Sequence, residues 1–283
     1  GRALSNSYST LQVLSLHNTQ NISRLANTLY KLEELQEFTI NCGNASHFEP
    51  ILSSLTPKLV SLSLKYELSL QNTTELADDS THSHWPKFTQ LQFLSLNRFN
   101  VHLSRLTTLT QLRTLNLAHS SVQFSAALST MTCLSHFHLA PANPGNNEWI
   151  PGALEALRYL TQLTYLDFYS NLMNQSDVVL LADSLLQTRD LTQLDLYCPS
   201  FGELDLTPLW SSLANLPLER LLMEHGGLKF EHLETFFPQF PPSLCHFNLT
   251  GNYIGNQVLE CMIQHSSRMT NLRSFEMSFS KDQ

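Results

Sequence analysis

The sequence predicts an α/β fold in which short repeats stack into a horseshoe-shaped solenoid, with about 11 parallel strands on its concave face and mostly helices on its convex face. The main observation is the spacing L-x-x-L-x-L, with conservative apolar replacements, which occurs eleven times in one frame. Successive motifs begin 21 to 32 residues apart, a period typical of stacked repeats. The motifs begin at Leu11, Leu35, Leu59, Leu91, Leu112, Leu134, Leu163, Leu191, Leu218, Leu244 and Leu272.

Each motif is expected to form one strand. Its fourth and sixth positions share one side of an extended chain, while positions three, five and seven share the other side. Leucine fills the first set and polar residues fill most of the second. Because a single motif cannot bury its apolar row alone, neighbouring motifs should stack as parallel strands. We expect one domain over 1–283, with repeats from about 11 to 280.

The return segments carry apolar residues at helical spacing in most repeats. Helix-start chemistry is present at Ser176-Asp177, and at Thr207-Pro208, where the hydroxyl is expected to cap the helix and proline to occupy its first position. The two short steps between Leu91 and Leu134 leave room for one or two turns only. Further helices are predicted over 22–35, 48–55, 153–160, 230–237 and 257–267.

This register resembles the leucine-rich repeat family from Leu11 to about Phe279. The repeats of 26 to 29 residues in the second half resemble the helix-backed, ribonuclease-inhibitor-like subclass. The sequence departs from the family at the ninth position, where asparagine usually bonds the loop backbone: only Asn171 and Asn252 occupy it. Irregular repeat lengths and a surface rich in Asn, Gln, His and Ser resemble the repeat arrays of bacterial effectors that are delivered into host cells.

The predicted concave face identifies a candidate binding patch in the sixth to ninth repeats, because tyrosine and arginine are enriched among interface hot spots. Asp167 and Asp195 should be neighbours on adjacent strands. They are either simply solvated or part of an acidic, aromatic pocket for an Arg or Lys side chain. The candidate partner-binding residues are His136, His138, Tyr165, Asp167, Tyr169, Gln193, Asp195, Tyr197, Arg220, Glu224 and Trp149.

Two insertions and three tryptophans bear on this prediction. One insertion is acidic (Glu75, Asp78, Asp79) and leads to Trp85; the other, 141–151, contains Trp149, and either could add partner contacts. For Trp85 we favour packing against the rim of the sheet, and for Trp210 burial in the core. A third possibility is a metal held by His136, His138 and Asp167.

Composition and motif searches exclude several functions. The formal charge of −8 disfavours nucleic acid and anionic membranes and favours a basic or neutral protein partner. No run approaches the length of a membrane span. Five scattered cysteines without a C-x-x-C pair indicate a reducing compartment. Glycine-rich phosphate loops, H-E-x-x-H and G-x-S-x-G are absent, so neither an enzyme nor a cofactor is expected.

We therefore expect a monomeric, non-catalytic protein-interaction module that binds a partner through its concave face and flanking loops. The effector resemblance implies action in a cytoplasm, either the cell's own or that of a host. Two alternatives stay open. The array could be the substrate-recognition region of a longer protein such as a ubiquitin ligase, since no terminal caps flank the repeats, or it could bind a small ligand or metal.

Overall fold

The computed structural model describes residues 10–17, 23–43, 48–66, 80–124, 126–142, 148–170 and 172–278. The predicted acidic insertion at Glu75, Asp78 and Asp79 and the ninth-position Asn171 lie outside these residues. The chain forms two compact units: unit 1 is Gly1–Leu134 with His138–Asn143, and unit 2 is Ser135–Phe137 with Pro144–Gln283. Strand β7 (His136–Pro141) is divided between them. The single domain stays a prediction.

Unit 1 contains parallel strands that pair in the order β1-β2-β3-β4-β6, with β5 paired to the far end of β6. The strands are β1 (Val13–Leu16), β2 (Glu37–Cys42), β3 (Ser61–Tyr66), β4 (Phe93–Asn97), β5 (Asn100–His102) and β6 (Thr114–Gln123). The return segments are α1 (Ser23–Leu29), α2 (Phe48–Ser54) and 3₁₀ helices at Ser80–Lys87, Leu103–Leu106 and Ala126–Thr130.

In unit 2 the parallel strands pair in the order β8-β9-β10-β11-β12. They are β8 (Tyr165–Tyr169), β9 (Gln193–Tyr197), β10 (Arg220–Leu222), β11 (His246–Leu249) and β12 (Ser274–Met277). Every return segment in this unit contains an α-helix: α3 (Ile150–Leu157), α4 (Gln175–Leu185), α5 (Thr207–Leu213), α6 (Phe230–Phe236) and α7 (Gln257–Gln264). Short 3₁₀ helices lie at Pro199–Glu203, Phe237–Gln239 and Ser266–Arg268.

The predicted strand register is confirmed. Leu62 pairs with Leu94 in unit 1, and Leu166 pairs with Leu194 in unit 2; all four side chains are fully buried. Burial of one such leucine contributes about 1.5 to 3 kcal/mol to folding. Each unit is thus an α/β stack of leucine-rich repeats, and the side of its sheet at motif positions three, five and seven is called the polar face.

The two short repeats of unit 1 differ from the helical ones, as their lengths predict. Their return segments form only short 3₁₀ helices, and β5 adds a twelfth described strand to the eleven that the motifs predict. The prediction that Trp210 is buried in the core is confirmed, and its ring lies 4.6 Å from that of Phe236. Trp85 is buried as well, with its ring 6.3 Å from that of Phe88. The short repeats of unit 1 thus have 3₁₀ helices and the strand β5 where most of the longer repeats have an α-helix.

Helix starts differ in detail from the sequence prediction. Helix α4 begins at Gln175, and its cap is Asn174, whose side chain accepts from Asp177 N while the Asp177 carboxylate accepts from Asn174 N. The expectation that Thr207 caps α5 is wrong, because Thr207 is already the first helical residue. The backbone N–H of Thr207 instead donates to the carboxylate of Asp205, two residues upstream.

The missing asparagine ladder is partly replaced by serine. Asn252 is buried; its Oδ1 accepts from Gly226 N and Leu228 N, and its Nδ2 donates to the carbonyls of Met223 and Leu249. Ser120 occupies the same ninth position in unit 1, where its hydroxyl accepts from Phe99 N and donates to Leu96 O. The shorter serine side chain forms fewer hydrogen bonds to backbone N–H and C=O groups than the asparagine side chain does.

Candidate functional site

The polar face of unit 2 brings together most of the predicted site residues. Across β8 and β9, Tyr165 pairs with Gln193, Asp167 with Asp195 and Tyr169 with Tyr197. Arg220 on β10 continues the first of these rows beyond Gln193. Because alternate residues of each strand point into the leucine core, these side chains are held on the outer side of the sheet at fixed spacing. The prediction that the two aspartates are neighbours is confirmed.

Asp195 lies at the centre of this face. Its Oδ2 accepts a hydrogen bond from the Tyr165 hydroxyl at 3.0 Å, and its Oδ1 lies 3.7 Å from Nε of the half-exposed Arg220. Oδ1 is buried and accepts no hydrogen bond from the described residues. Asp195 therefore keeps acceptor capacity that its neighbours leave unused.

The electrostatics of this centre are dominated by burial and by acidic neighbours. Burial raises the pKa of Asp195; Arg220 and the Tyr165 hydrogen bond oppose the shift, while Asp167 and Glu224 add to it. Burial and the Asp195 and Asp167 charges also raise the pKa of the Tyr165 phenol, which stays a hydrogen-bond donor. A cation bound here would offset the repulsion between these acidic groups.

Two tyrosines form an aromatic platform beside the carboxylates. The rings of Tyr169 and Tyr197 stack with their centroids 4.2 Å apart and their planes at 6°. Burial and the neighbouring Tyr197 raise the pKa of Tyr169. On the other side of Tyr197, the His225 ring lies 6.0 Å away and is tilted by 48°. The platform offers half-exposed aromatic surface with polar edges.

His225 was not predicted from the sequence, because it follows the strand rather than lying within it. Its backbone is left-handed (φ 50°), which turns the ring toward Tyr197. A Cβ on Gly251 would come within 2.2 Å of the His225 ring, and the left-handed backbone of Gly251 (φ 78°) also favours glycine there. His225 and Gly251 are the eighth residues of successive repeats. A ring at this position followed by glycine in the next repeat is the sequence signal that could have identified His225.

Acidic side chains extend this face over the last strands. Asn248 Nδ2 donates to Glu224 Oε1 at 2.8 Å and to Glu276 Oε2 at 3.2 Å. One amide thus holds two carboxylates in place. The predicted residue Glu224 belongs to this cluster.

Three predicted residues lie differently. The His136 ring is 6.0 Å from that of Tyr165, at the edge of the site, and His136 Nδ1 bonds Ser135 Oγ. His138 belongs to unit 1. Trp149 does not join the polar face: its ring lies 5.5 Å from Phe168, whose side chain is buried in the core. Among the described residues, no group of three His, Cys, Asp or Glu side chains is arranged to hold a metal ion.

No protein-family model matches the sequence, and no curated protein is similar to it in sequence. Solved structures are similar in fold. An internalin from Listeria monocytogenes is 15% identical, with 97% of this chain and 69% of that chain covered and a TM-score of 0.47. A leucine-rich repeat protein from Leptospira interrogans is 15% identical, with 98% and 86% covered and a TM-score of 0.46. LegL7, a leucine-rich repeat-containing protein from Legionella pneumophila, is 11% identical, with 95% and 90% covered and a TM-score of 0.49.

The leucine-rich repeat assignment rests on this chain's own register of parallel strands and buried leucines. Within the part of the chain that the structure describes, no helix is both long and apolar enough to cross a membrane.

Proposed function

We propose that the chain is a non-catalytic protein-binding module and that the polar face of unit 2 binds its partner. The observation that carries this proposal is the Asp195 site, where the neighbouring carboxylates of Asp167 and Asp195 lie beside the half-exposed Arg220 and the Tyr169–Tyr197 stack. Stacked tyrosines supply large contact area at low conformational cost, since each has only two side-chain torsions to fix.

The partner contributes an Arg or Lys side chain to this face. Such a cation would approach Asp167 and Asp195 and contact the tyrosine edges. Burial raises the pKa of Asp195 and the Asp167 and Glu224 charges add to the shift, and the cation would offset this added repulsion. The chain's formal charge of −8 would also accelerate association with a basic surface. A basic or neutral partner surface therefore fits better than an acidic one.

The proposed location is a reducing cytoplasm, either of the producing cell or, for a secreted effector, of its host. All five cysteines are free thiols, and Cys133 is exposed. An exposed free thiol is better tolerated where disulfide formation is disfavoured. Fractionation of cells that express the tagged chain tests this location: recovery in oxidised, disulfide-linked form would contradict it.

An affinity capture experiment tests the binding face. A variant with Tyr165, Tyr169, Tyr197, Asp167 and Asp195 all replaced by Ala is compared with wild type as bait in cytosolic extract. The control replaces Thr39, Ser63 and Ser95 by Ala; these residues lie on the polar face of unit 1, at the strand position that Asp167 and Asp195 occupy in unit 2. We expect the first variant to lose proteins that wild type and control both capture.

Both variants should fold, because the altered side chains lie outside the leucine core. Circular dichroism melting checks that each bait is folded. A folded unit 2 variant that captures the same proteins as wild type would refute the assignment of this face.

A further inference from the structure

A second cluster of charged side chains lies in unit 1 and has the opposite sign. Lys65 is the last residue but one of β3, Arg98 directly follows β4, and His119 lies on β6, the next strand in the sheet. Lys65 pairs with Asn97, the residue before Arg98, and Arg98 N donates at 3.2 Å to the carbonyl of Ala118, the residue before His119. The three basic residues therefore lie within one residue of register on neighbouring strands. His138 on β7 belongs to the same unit. In a chain of charge −8, this concentration of basic groups is unusual.

The backbone at two of these residues is in the left-handed region. Arg98 has φ 66° and His119 has φ 53°. Both occupy the eighth position of their repeats, where a later repeat has Gly251 at φ 78°. Glycine or asparagine adopts this conformation at lower energy than arginine or histidine does. Strained residues of this kind concentrate at functional sites.

The basic neighbours act on the His119 imidazole. Burial lowers the pKa of His119, and the charges of Arg98, His138 and Lys65 lower it further. The charged groups that lower the pKa of this imidazole are all basic. An anion at this point would reverse their effect.

We propose that Lys65, Arg98, His119 and His138 form a binding site for a phosphate monoester. A guanidinium offers a planar fork of N–H donors, an ammonium offers a compact charge, and each imidazole offers a further donor. A phosphoryl dianion has three terminal oxygens to accept from such a set, whereas a carboxylate has two oxygens and half the charge. The site lies in unit 1 and is independent of the partner-binding face proposed for unit 2.

Side-chain histidine NMR of the full chain tests this site with inorganic phosphate as the probe, at constant ionic strength. We expect saturable shifts of the His119 and His138 resonances and a rise in the pKa of His119, because a bound anion favours the protonated imidazole. Arg98→Asn tolerates the left-handed backbone and should weaken phosphate binding about tenfold or more, the loss expected for a charge-assisted contact. His119→Asn should also weaken it.

The matched control is Arg158→Gln, which removes an exposed arginine that lies beside Asp183 in unit 2. It should leave phosphate affinity unchanged. Equal affinity of Arg98→Asn and wild type, or no saturation up to about 10 mM phosphate, a concentration that detects even millimolar affinity, would overturn the proposal.

Two further probes identify the source of the phosphate. Tighter binding of a phosphoserine peptide than of phosphoserine itself would assign the site to a phosphorylated protein, and equal affinity would assign it to a small phosphorylated molecule. A peptide with glutamate in place of phosphoserine should bind more weakly than the phosphorylated one. If it binds equally well, the site is a general acidic-peptide site and the phosphate assignment is wrong.

Discussion

Unit 1 and unit 2 bury leucines in the same register but present different side chains on the polar face. In unit 1 the central row of that face is Ser15, Thr39, Ser63, Ser95 and Asn116. Unit 2 instead presents Asp167, Asp195 and the flanking tyrosines. Since the inward positions alone maintain the stacking, the outward positions are available for binding. Alternate residues of each strand thus have different roles: the inward residues stabilise the stack of repeats, and the outward residues can vary without loss of stability.

The units also differ in how they satisfy buried backbone groups. Asn252 in unit 2 makes four hydrogen bonds from the ninth position, and Ser120 in unit 1 makes fewer from the same place. The following predictions test these contrasts in order of expected effect.

The largest effect is expected for Asn252→Ala. It removes four hydrogen bonds and leaves Gly226 N, Leu228 N and two carbonyls without them, so the free energy of unfolding should fall by about 3 kcal/mol. Ser120→Ala should lower it by about 1 kcal/mol, because one hydroxyl makes fewer bonds. Urea unfolding of the two variants measures both. Equal losses would contradict the view that serine replaces asparagine only partly.

A smaller effect is expected for Lys87→Met in unit 1. The Lys87 ammonium donates to the carbonyls of Leu52, Ser53 and Leu55 at the end of α2, and burial lowers its pKa. Its loss should reduce the free energy of unfolding by about 2 kcal/mol, since the carbonyls lose charged donors.

Lys58→Met is the control for Lys87→Met. Lys58 forms an exposed ion pair with Glu34, and exposed pairs contribute little. Urea unfolding should show almost no change for it. If both lysine variants lose the same stability, Lys87 does not stabilise the end of α2.

The smallest effect concerns pH and Asp195. Because burial raises its pKa in the folded state, the folded protein binds a proton more readily than the unfolded chain does. Stability is therefore expected to fall as pH rises from the unfolded value through the raised folded one. Asp195→Asn removes this dependence, and its amide oxygen can still accept from Tyr165. Urea midpoints at about pH 4 and about pH 6 compare the two proteins; an equal change in both would exclude Asp195 as the cause.

The sequence predicted the strands and the facing pairs, and it missed features that depend on loops. Strand alternation has a period of two, so the motif alone places Asp167 beside Asp195 and Tyr169 beside Tyr197. It does not place Trp149, whose ring contacts Phe168 from outside the strand. Nor does it reveal His225, which reaches Tyr197 only because its backbone is left-handed and the next repeat has Gly251. Such contacts arise from loop geometry, which has no period.

The most direct test of the central claim is the affinity of a captured partner for the double variant Asp167→Asn/Asp195→Asn, measured at low and physiological salt. These substitutions keep side-chain size and remove two charges from the polar face of unit 2. We predict a loss of affinity of about tenfold or more and a weaker dependence on salt, because the contact to a basic side chain is lost. Unchanged affinity and salt dependence in a folded double variant would contradict the assignment of this face.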